Sequence, residues 1–307
     1  MDPVLTTAVF LFGLAFGSFL NVCIHRMPRE ISVVLPHSAC PKCQHAIKPY
    51  DNIPVLSWLI LHGRCRHCGA PISPRYLAVE LITGCLFMAC YARFGMSIFT
   101  LKYCVFAFLI IGLIFTDAEW HLLPDALTLS GLAAGLAFSG FAPLHDVISQ
   151  LLPGLLSVRH SAISWRLLSV GDAIFGAAVG ASFFYGIAIL YLRARGREGM
   201  GLGDVKLMAM VGAFLGVRLT VLTIFGASLA GSLFGLGTIL MVWSKRTRRR
   251  RERNRETAAV ARRRAWQSAR TVYRYYEMPF GVFLGAMAMI ALFFGPALLA
   301  WYWGAYL

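Results

Sequence analysis

The chain has 307 residues, of which 58% are hydrophobic and 14% charged, and it carries a formal charge of +15 at pH 7. An average soluble domain is nearer a quarter charged, so a single water-soluble core is excluded, and the absence of strand-type alternation excludes an outer-membrane barrel. What remains is an all-α polytopic integral membrane protein, in which basic residues report topology before they report a nucleic-acid partner.

Apolar runs of about 20 residues, enough to cross a bilayer as helix, predict about eight transmembrane helices. They fall at 4–23, 76–95, 99–116, 124–141, 171–192, 204–217, 218–243 and 278–303. The first lacks a basic n-region and a small-x-small cleavage site, so it reads as a retained helix and not a signal peptide. The sixth is short and glycine-rich and is expected to tilt or to pack wholly against its neighbours. An even number of spans puts both termini on one side. The loops 24–75, 117–123, 193–206 and 244–277 hold 24 of the 29 Lys and Arg, the other side holding only Arg93, Lys102, Arg159, Arg166 and Arg218. Positive-inside then places the first set in the cytoplasm and the termini in the periplasm. The expected organisation is a first helix (1–23), a cytoplasmic loop domain (24–75) and a transmembrane core (76–307).

The loop domain carries Cys40-x-x-Cys43 and Cys65-x-x-Cys68, with 21 residues between the pairs. Two such pairs complete a tetrahedral four-thiolate zinc site, and the usual spacer is only slightly shorter, about 15–20 residues. Disulfides are disfavoured on the reducing side of the membrane, and a segment this short needs a metal staple to fold. Structural Zn2+ is therefore expected on Cys40, Cys43, Cys65 and Cys68. His45 and His67 are expected to be solvated, and Cys23, Cys85, Cys90 and Cys104 to be buried small hydrophobes.

Further along, Asp117 closes the third span and Asp125 opens the fourth. Asp117 sits where a negative charge opposes the helix dipole, which argues for function over structure. On the opposite face, the loop 142–170 contains PGLLSVRHSAISWRLL, which fits either a surface connector or an interfacial helix anchored by Trp165. Then comes GMGLGDVKLMAMVGAFLG (199–216), in which Asp204 stands behind glycines that let the backbone turn tightly. Alone, such an aspartate is more often an N-terminal cap than a catalyst. The topology, however, brings Asp117, Asp125 and Asp204 to one membrane face. Two carboxylates in a semi-dry cleft share a proton and titrate as a unit. The ionised partner can activate water while the protonated one serves the leaving group. No GxSxG or HExxH points to serine or zinc hydrolysis. The basic stretch 244–274, beside the inner leaflet, is expected to bind anionic lipids first. Pilus or secretion assembly machinery is a secondary partner for it, and nucleic acid the least favoured.

Five motifs occur together and in order: GSFLNVCIHRMP (17–28), the CPKC…CRHC loop with NIPVLSWLILHGRCRHCGAPISPRYLAVE, the Asp117–Asp125 stretch ending in LPD, GLGDVKLMAMVGAFLG, and MPFGVFLGA (278–286). In this combination the chain resembles the bacterial type IV prepilin peptidases, GxGD aspartic proteases that are also N-methyltransferases. The resemblance implies removal of the leader from type IV prepilins or type II secretion pseudopilins at the cytoplasmic face of the inner membrane. Methylation of the new N-terminus with S-adenosylmethionine follows. It implies catalytic roles for Asp117 and Asp204 and supporting roles for Gly201, Gly203, Asp125 and Lys206. The cysteine loop belongs to the bifunctional branch. The long loop 142–170, which sets the two aspartates 87 positions apart, and the insertion 244–277 depart from the usual pattern without breaking a motif. No methyl-donor fingerprint appears, so no residues are assigned to that ligand. Two rival readings are a catalytically inactive assembly factor and a proton-coupled transporter. The latter would be expected to show an internal repeat and acids at mid-membrane.

Overall fold

The computed structural model describes residues 2–35, 37–144, 146–150, 164–196, 201–254, 257–274 and 278–304. Nine α-helices lie within them: α1 (Pro3–Arg26), the short α2 (Leu56–Ile60), α3 (Arg75–Phe94), α4 (Ile98–Trp120), α5 (Asp125–Ser139), α6 (Trp165–Arg195), α7 (Leu202–Asn254), α8 (Ala258–Arg274) and α9 (Phe280–Gly304). Among the described residues there is no β-sheet, only two isolated bridges. A chain that must satisfy every backbone group inside lipid has no simpler solution than helices.

Six helical stretches are long and apolar enough to cross a membrane, lying in α1, α3, α4, α6, α7 and α9. The sequence expectation of about eight differs from this for two reasons. Helix α5 is apolar but short, and α7 is two arms joined at a break. At Gly216 the backbone takes φ 78°, ψ 178°, a conformation open essentially to glycine alone. The first arm, 202–215, is the most enclosed element: Leu207, Met208, Met210, Val211 and Phe214 are fully buried. They form the main core with Phe106, Ile110 and Leu113 of α4, Leu127 of α5, and Leu284 and Ala288 of α9. Hydrocarbon tails offer no hydrophobic drive between helices, so close packing has to supply it. Gly176 of α6 and Gly212 of the first arm meet backbone to backbone, where a Cβ on either would lie within 2.4 Å of the other's carbonyl oxygen.

At the end of the bundle away from Asp117, buried acids hold the turn between α5 and α6. Asp172 accepts backbone N–H groups of Asp146 (3.0 Å), Ile148 (2.6 Å) and Ser149 (3.2 Å). The Asp146 carboxylate in turn accepts the Arg218 N–H at 3.1 Å and faces its guanidinium at 3.2 Å. It thereby caps the second arm of α7 at the Gly216 break. Arg218 therefore lies at this end of the bundle. The proposed interfacial helix of the 142–170 loop falls mostly outside the described residues, and Trp165 instead opens α6.

The cysteine loop is anchored to the bundle through α3. The buried Glu80 carboxylate accepts the Val55 N–H at 2.7 Å, with Val55 itself in an unusual positive-φ turn (φ 62°). Arg75 pairs with Glu119 across α3 and α4. One sequence expectation is corrected here: Cys23, Cys90 and Cys104 are buried, but Cys85 is exposed. It lies on the outward face of α3, where the surrounding lipid accepts a small apolar side chain as readily as a core does.

Candidate active site

Asp117 lies in the last turn of α4, buried to 6% exposure, at the carbonyl end where its charge is least welcome. Its compensation comes from another helix. The Val282 N–H donates to Asp117 Oδ2 at 3.1 Å, and the Gly281 N–H also points at it. Both belong to the first turn of α9, whose N–H groups have no intrahelical partner and whose dipole favours an anion. Close approach depends on glycine, since a Cβ at Gly281 would stand 2.9 Å from Asp117 Oδ2. Sequence reasoning missed this contact. MPFGVFLGA was visible only as a motif, although a proline and a glycine ahead of an apolar run are a helix-start signal.

Asp204 lies in the first turn of α7 and is half-buried. Among the described residues it makes no side-chain hydrogen bond, so it does not act as the cap that a GxGD helix start first suggests. Asp117 is within electrostatic reach of it. Leu123, in the α4–α5 turn, is the wedge between the two backbones. A Cβ on Gly203 would meet Leu123 Cβ at 3.0 Å, and one on Gly281 would meet its Cδ2 at 3.3 Å. Gly203 and Gly281 thus press on the same side chain from opposite sides, drawing the starts of α7 and α9 onto the end of α4.

The supporting residues sit around this junction. Lys206 Nζ pairs with Asp125 Oδ1 at 2.6 Å, their side chains 33% and 59% exposed, which ties the starts of α5 and α7 together. Gly201 is exposed just ahead of α7. Two further acids belong to the loops that charge counting groups on this side: Glu119 is paired with Arg75, and Glu30 is exposed.

In the loop domain the sulfur atoms of Cys40, Cys43, Cys65 and Cys68 all lie within 4.8 Å of one another. Cys40 and Cys68 are 3.8 Å apart. A tetrahedron with Zn–S bonds of about 2.3 Å has edges of about 3.8 Å, so the donor set fits zinc. The two halves repeat one another. Cys40 N–H donates to His45 O (3.0 Å) and Gln44 N–H to Cys40 O (2.9 Å), while Cys65 N–H donates to Ala70 O (2.8 Å) and Gly69 N–H to Cys65 O (2.9 Å). Gln44 and Gly69 occupy the same left-handed position, at φ 56° and 67°. Backbone N–H groups of Cys43 and Lys42 pull the Cys40 thiol down to about 6, toward the thiolate a metal needs. His45 and His67 stack at 4.2 Å on the exposed rim. Asp51, held below the usual carboxylate range by the Arg66 guanidinium, ties the 49–52 turn to the second half.

These features define a class: an all-helical membrane protein with a carboxylate pair at one end of its bundle and, on the adjoining loop, a four-cysteine cluster whose geometry fits a metal ion. Comparison with known proteins narrows it. Residues 11–94 match the Bacterial Peptidase A24 N-terminal domain and residues 103–236 the Type IV leader peptidase family. A prepilin leader peptidase/N-methyltransferase of Aeromonas hydrophila is 34% identical over 96% of this chain and 92% of its own length. One from Pseudomonas aeruginosa is 33% identical over 93% and 89%. One from Myxococcus xanthus is 40% identical over 78% of this chain, an alignment that spans 64% of that relative's length. No solved structure matches the chain. The chain belongs to the type IV leader peptidase family.

Proposed function

We propose that this protein removes the leader from type IV prepilins or type II secretion pseudopilins with Asp117 and Asp204, and methylates the new N-terminus with S-adenosylmethionine. It is a multi-pass inner-membrane protein. The observation that carries the reading is that two acids from distant helices lie within electrostatic reach of each other, one held by the start of α9 and one making no side-chain hydrogen bond among the described residues. The assembly-factor and transporter readings give way to it. Relatives matched over nearly their whole length are named as peptidase and methyltransferase, and both acids lie at helix ends.

A prepilin has a cationic leader followed by an apolar helix, so its scissile bond rests at the cytoplasmic interface. In the mechanism, one carboxylate takes a proton from the attacking water while the partner protonates the amide. Asp117, fixed by α9, suits the role held constant. Asp204 suits proton transfer. Gly203 and Gly281 set the spacing of the pair, and Lys206–Asp125 keeps α5 and α7 in register. About eight crossings, with periplasmic termini and a cytoplasmic active site, fit this arrangement if α5 and both arms of α7 each cross.

Zn2+ on Cys40, Cys43, Cys65 and Cys68 would hold the loop domain (24–75) folded as a unit distinct from α1 and from the core (76–307). The methyl donor supplies an electrophilic methyl group to the freed amine. A cleft of about 380 Å³ between α1 and this loop is lined by Ser18, Phe19, Arg26, His37 and Asn52. Its size and mixed polarity fall in the range of small-molecule sites, and these residues would hold the donor. The basic 244–274 segment contacts anionic lipid, with the pilus or secretion machinery as a further partner.

The test is prepilin cleavage by purified protein and by its Asp117→Asn and Asp204→Asn variants. Each substitution is expected to lower the rate by about 10²–10⁴-fold, the usual contribution of a general acid or base, with the melting temperature little changed. Cleavage at the normal rate by either variant would remove that residue from the mechanism. Labelled methyl donor in the same reaction reports the second activity on the mature pilin.

A further inference from the structure

Beyond the apolar part of its second arm, α7 continues as a basic helix, and α8 doubles back along it. Ala261 and Ala265 of α8 are fully buried, Trp243 and Trp266 meet edge to face at 6.0 Å, and Trp243 Nε1 donates to Arg262 O at 3.1 Å. The sequence from 244 to 274 holds 13 Lys and Arg against two Glu. These charges are not spread evenly. Beside the contact of the two helices, an open groove of about 530 Å³ is lined by Arg248, Arg251 and Arg262 together with Trp243, Ser244 and Thr247. The Ser244 and Thr247 hydroxyls donate to backbone carbonyls of their own helix, so the donors left to a ligand are mainly guanidinium N–H groups. Glu252 is the one acid lining the groove, and it engages Arg248 at 2.8 Å. Three cationic forks against one carboxylate select a phosphate-type anion, whose geometry a guanidinium matches.

Position and periodicity say which phosphate. From Gly216, at the far end of the bundle, to Trp243 the helix rises about 40 Å at 1.5 Å per residue. That equals a hydrocarbon core of about 30 Å plus the headgroup layer, so the groove opens at headgroup depth. The groove residues 243, 247 and 251 share one helix face at i, i+4, i+8. Toward the bilayer the same stripe continues through Leu240, Leu236 and Leu233, all three exposed. An anion site and an apolar track thus run end to end on one face.

We propose that this groove binds the phosphodiester headgroup of one anionic phospholipid, whose acyl chains lie along Leu233, Leu236 and Leu240. The inference rests on the reading that the basic segment meets anionic lipid, and sharpens it from diffuse attraction to a defined site. The test uses the full chain in nanodiscs of phosphatidylcholine doped with phosphatidylglycerol, with lipid bound per protein read by native mass spectrometry. Two charge-matched variants are compared, R248Q/R251Q/R262Q in the groove and R249Q/R263Q/R270Q outside it. Phosphatidylglycerol retention is expected to fall at least about tenfold further for the groove variant than for its control, as loss of charge-assisted contacts requires. Equal weakening of both would overturn the site while leaving diffuse attraction intact. No weakening of either would overturn the lipid reading as well. L236N/L240N is expected to weaken phosphatidylglycerol binding too. Displacement of the lipid by millimolar inorganic phosphate, with no effect of L236N/L240N, would make the groove a free-anion site and overturn the phospholipid assignment. Melting temperatures in pure phosphatidylcholine discs, unchanged for all three variants, establish that each is folded.

Discussion

At the scale of single residues, the two aspartates reverse the roles that their sequence contexts suggested. Asp204 follows glycines at a helix start and looks like a cap, yet it makes no capping bond among the described residues. Asp117 ends a helix and looks unsupported, yet α9 supplies the N–H of Val282. Motif spacing made both acids visible. The partner of Asp117 stayed hidden because it comes from 165 residues further along the chain, where no local pattern reaches. This arrangement predicts the effect of Gly281→Ala. The added methyl would stand 2.9 Å from Asp117 Oδ2, so either the carboxylate turns away or the start of α9 backs off. Overpacking of this kind costs about 1–3 kcal/mol. Prepilin cleavage should fall at least about tenfold, since misplacement of a reacting group by even 1 Å can cost about a hundredfold. Wild-type turnover with a wild-type melting temperature would show that the close approach is dispensable. Lys206→Met makes the opposite case. Its pair with Asp125 is half-exposed, and such pairs contribute about 0–1 kcal/mol. Cleavage should therefore drop far less than in Asp204→Asn, and an equal loss would mean that Lys206 touches the reacting atoms.

At the scale of elements, apolar run length located the helices and, to within two residues, the break in α7, but not how many stretches are long enough to cross. The boundary between the sixth and seventh spans was read at 217/218, and the backbone breaks at Gly216, where its positive φ is paired with the Asp146 cap. The contact of α6 with the first arm rests on glycines whose small-residue spacing, Gly176 and Gly180, was present in the sequence. Their partners, Gly212 for Gly176 and the Met208 backbone for Gly180, could not be named without the fold. Gly216→Ala would force a side chain into a region that non-glycine residues occupy at about 1–3 kcal/mol, with its Cβ 2.4 Å from Asp146 Oδ2. Because the same break sets the axis of the arm that ends in Asp204, loss of thermal stability and of cleavage should appear together. A variant that loses neither would show that the two arms are not coupled through this turn. The cysteine loop is a more independent element. The clustering of its four cysteines could be read from spacing alone, since two CxxC pairs leave few other geometries. Cys40→Ser with Cys65→Ser should lose about one zinc per chain, as a single four-thiolate site requires. It should also open the stretch between Val33 and Ile72 to trypsin while α1 and α3 stay protected. Retention of metal, or unchanged proteolysis, would refute a structural role for zinc.

At the scale of the whole molecule, the peptidase core and the basic hairpin are physically separable. Among the described residues the main hydrophobic core draws on α4, α5, α6, both arms of α7 and α9, and on nothing between 244 and 274. Composition identified that stretch as basic but could not show that it folds back on itself. Among the described residues the fully buried positions of α8 are Ala261 and Ala265, too slight a pattern to stand out among arginines. Separability makes a strong prediction, because α9 must still return to the same place for its first turn to hold Asp117. In a tight antiparallel hairpin the two roots are neighbours, about 8–10 Å between axes. An eight-residue Gly/Ser linker spans about 15 Å on average, enough to join them without strain. Replacing residues 245–274 by such a linker should therefore leave prepilin cleavage in neutral lipid within about threefold of wild type, a difference of under 1 kcal/mol in barrier height, while retention of phosphatidylglycerol is lost. If cleavage disappears with the hairpin although the shortened chain melts at the same temperature, then the basic segment is part of the peptidase machinery. The carboxylate pair would then depend on a partner that the core alone does not contain.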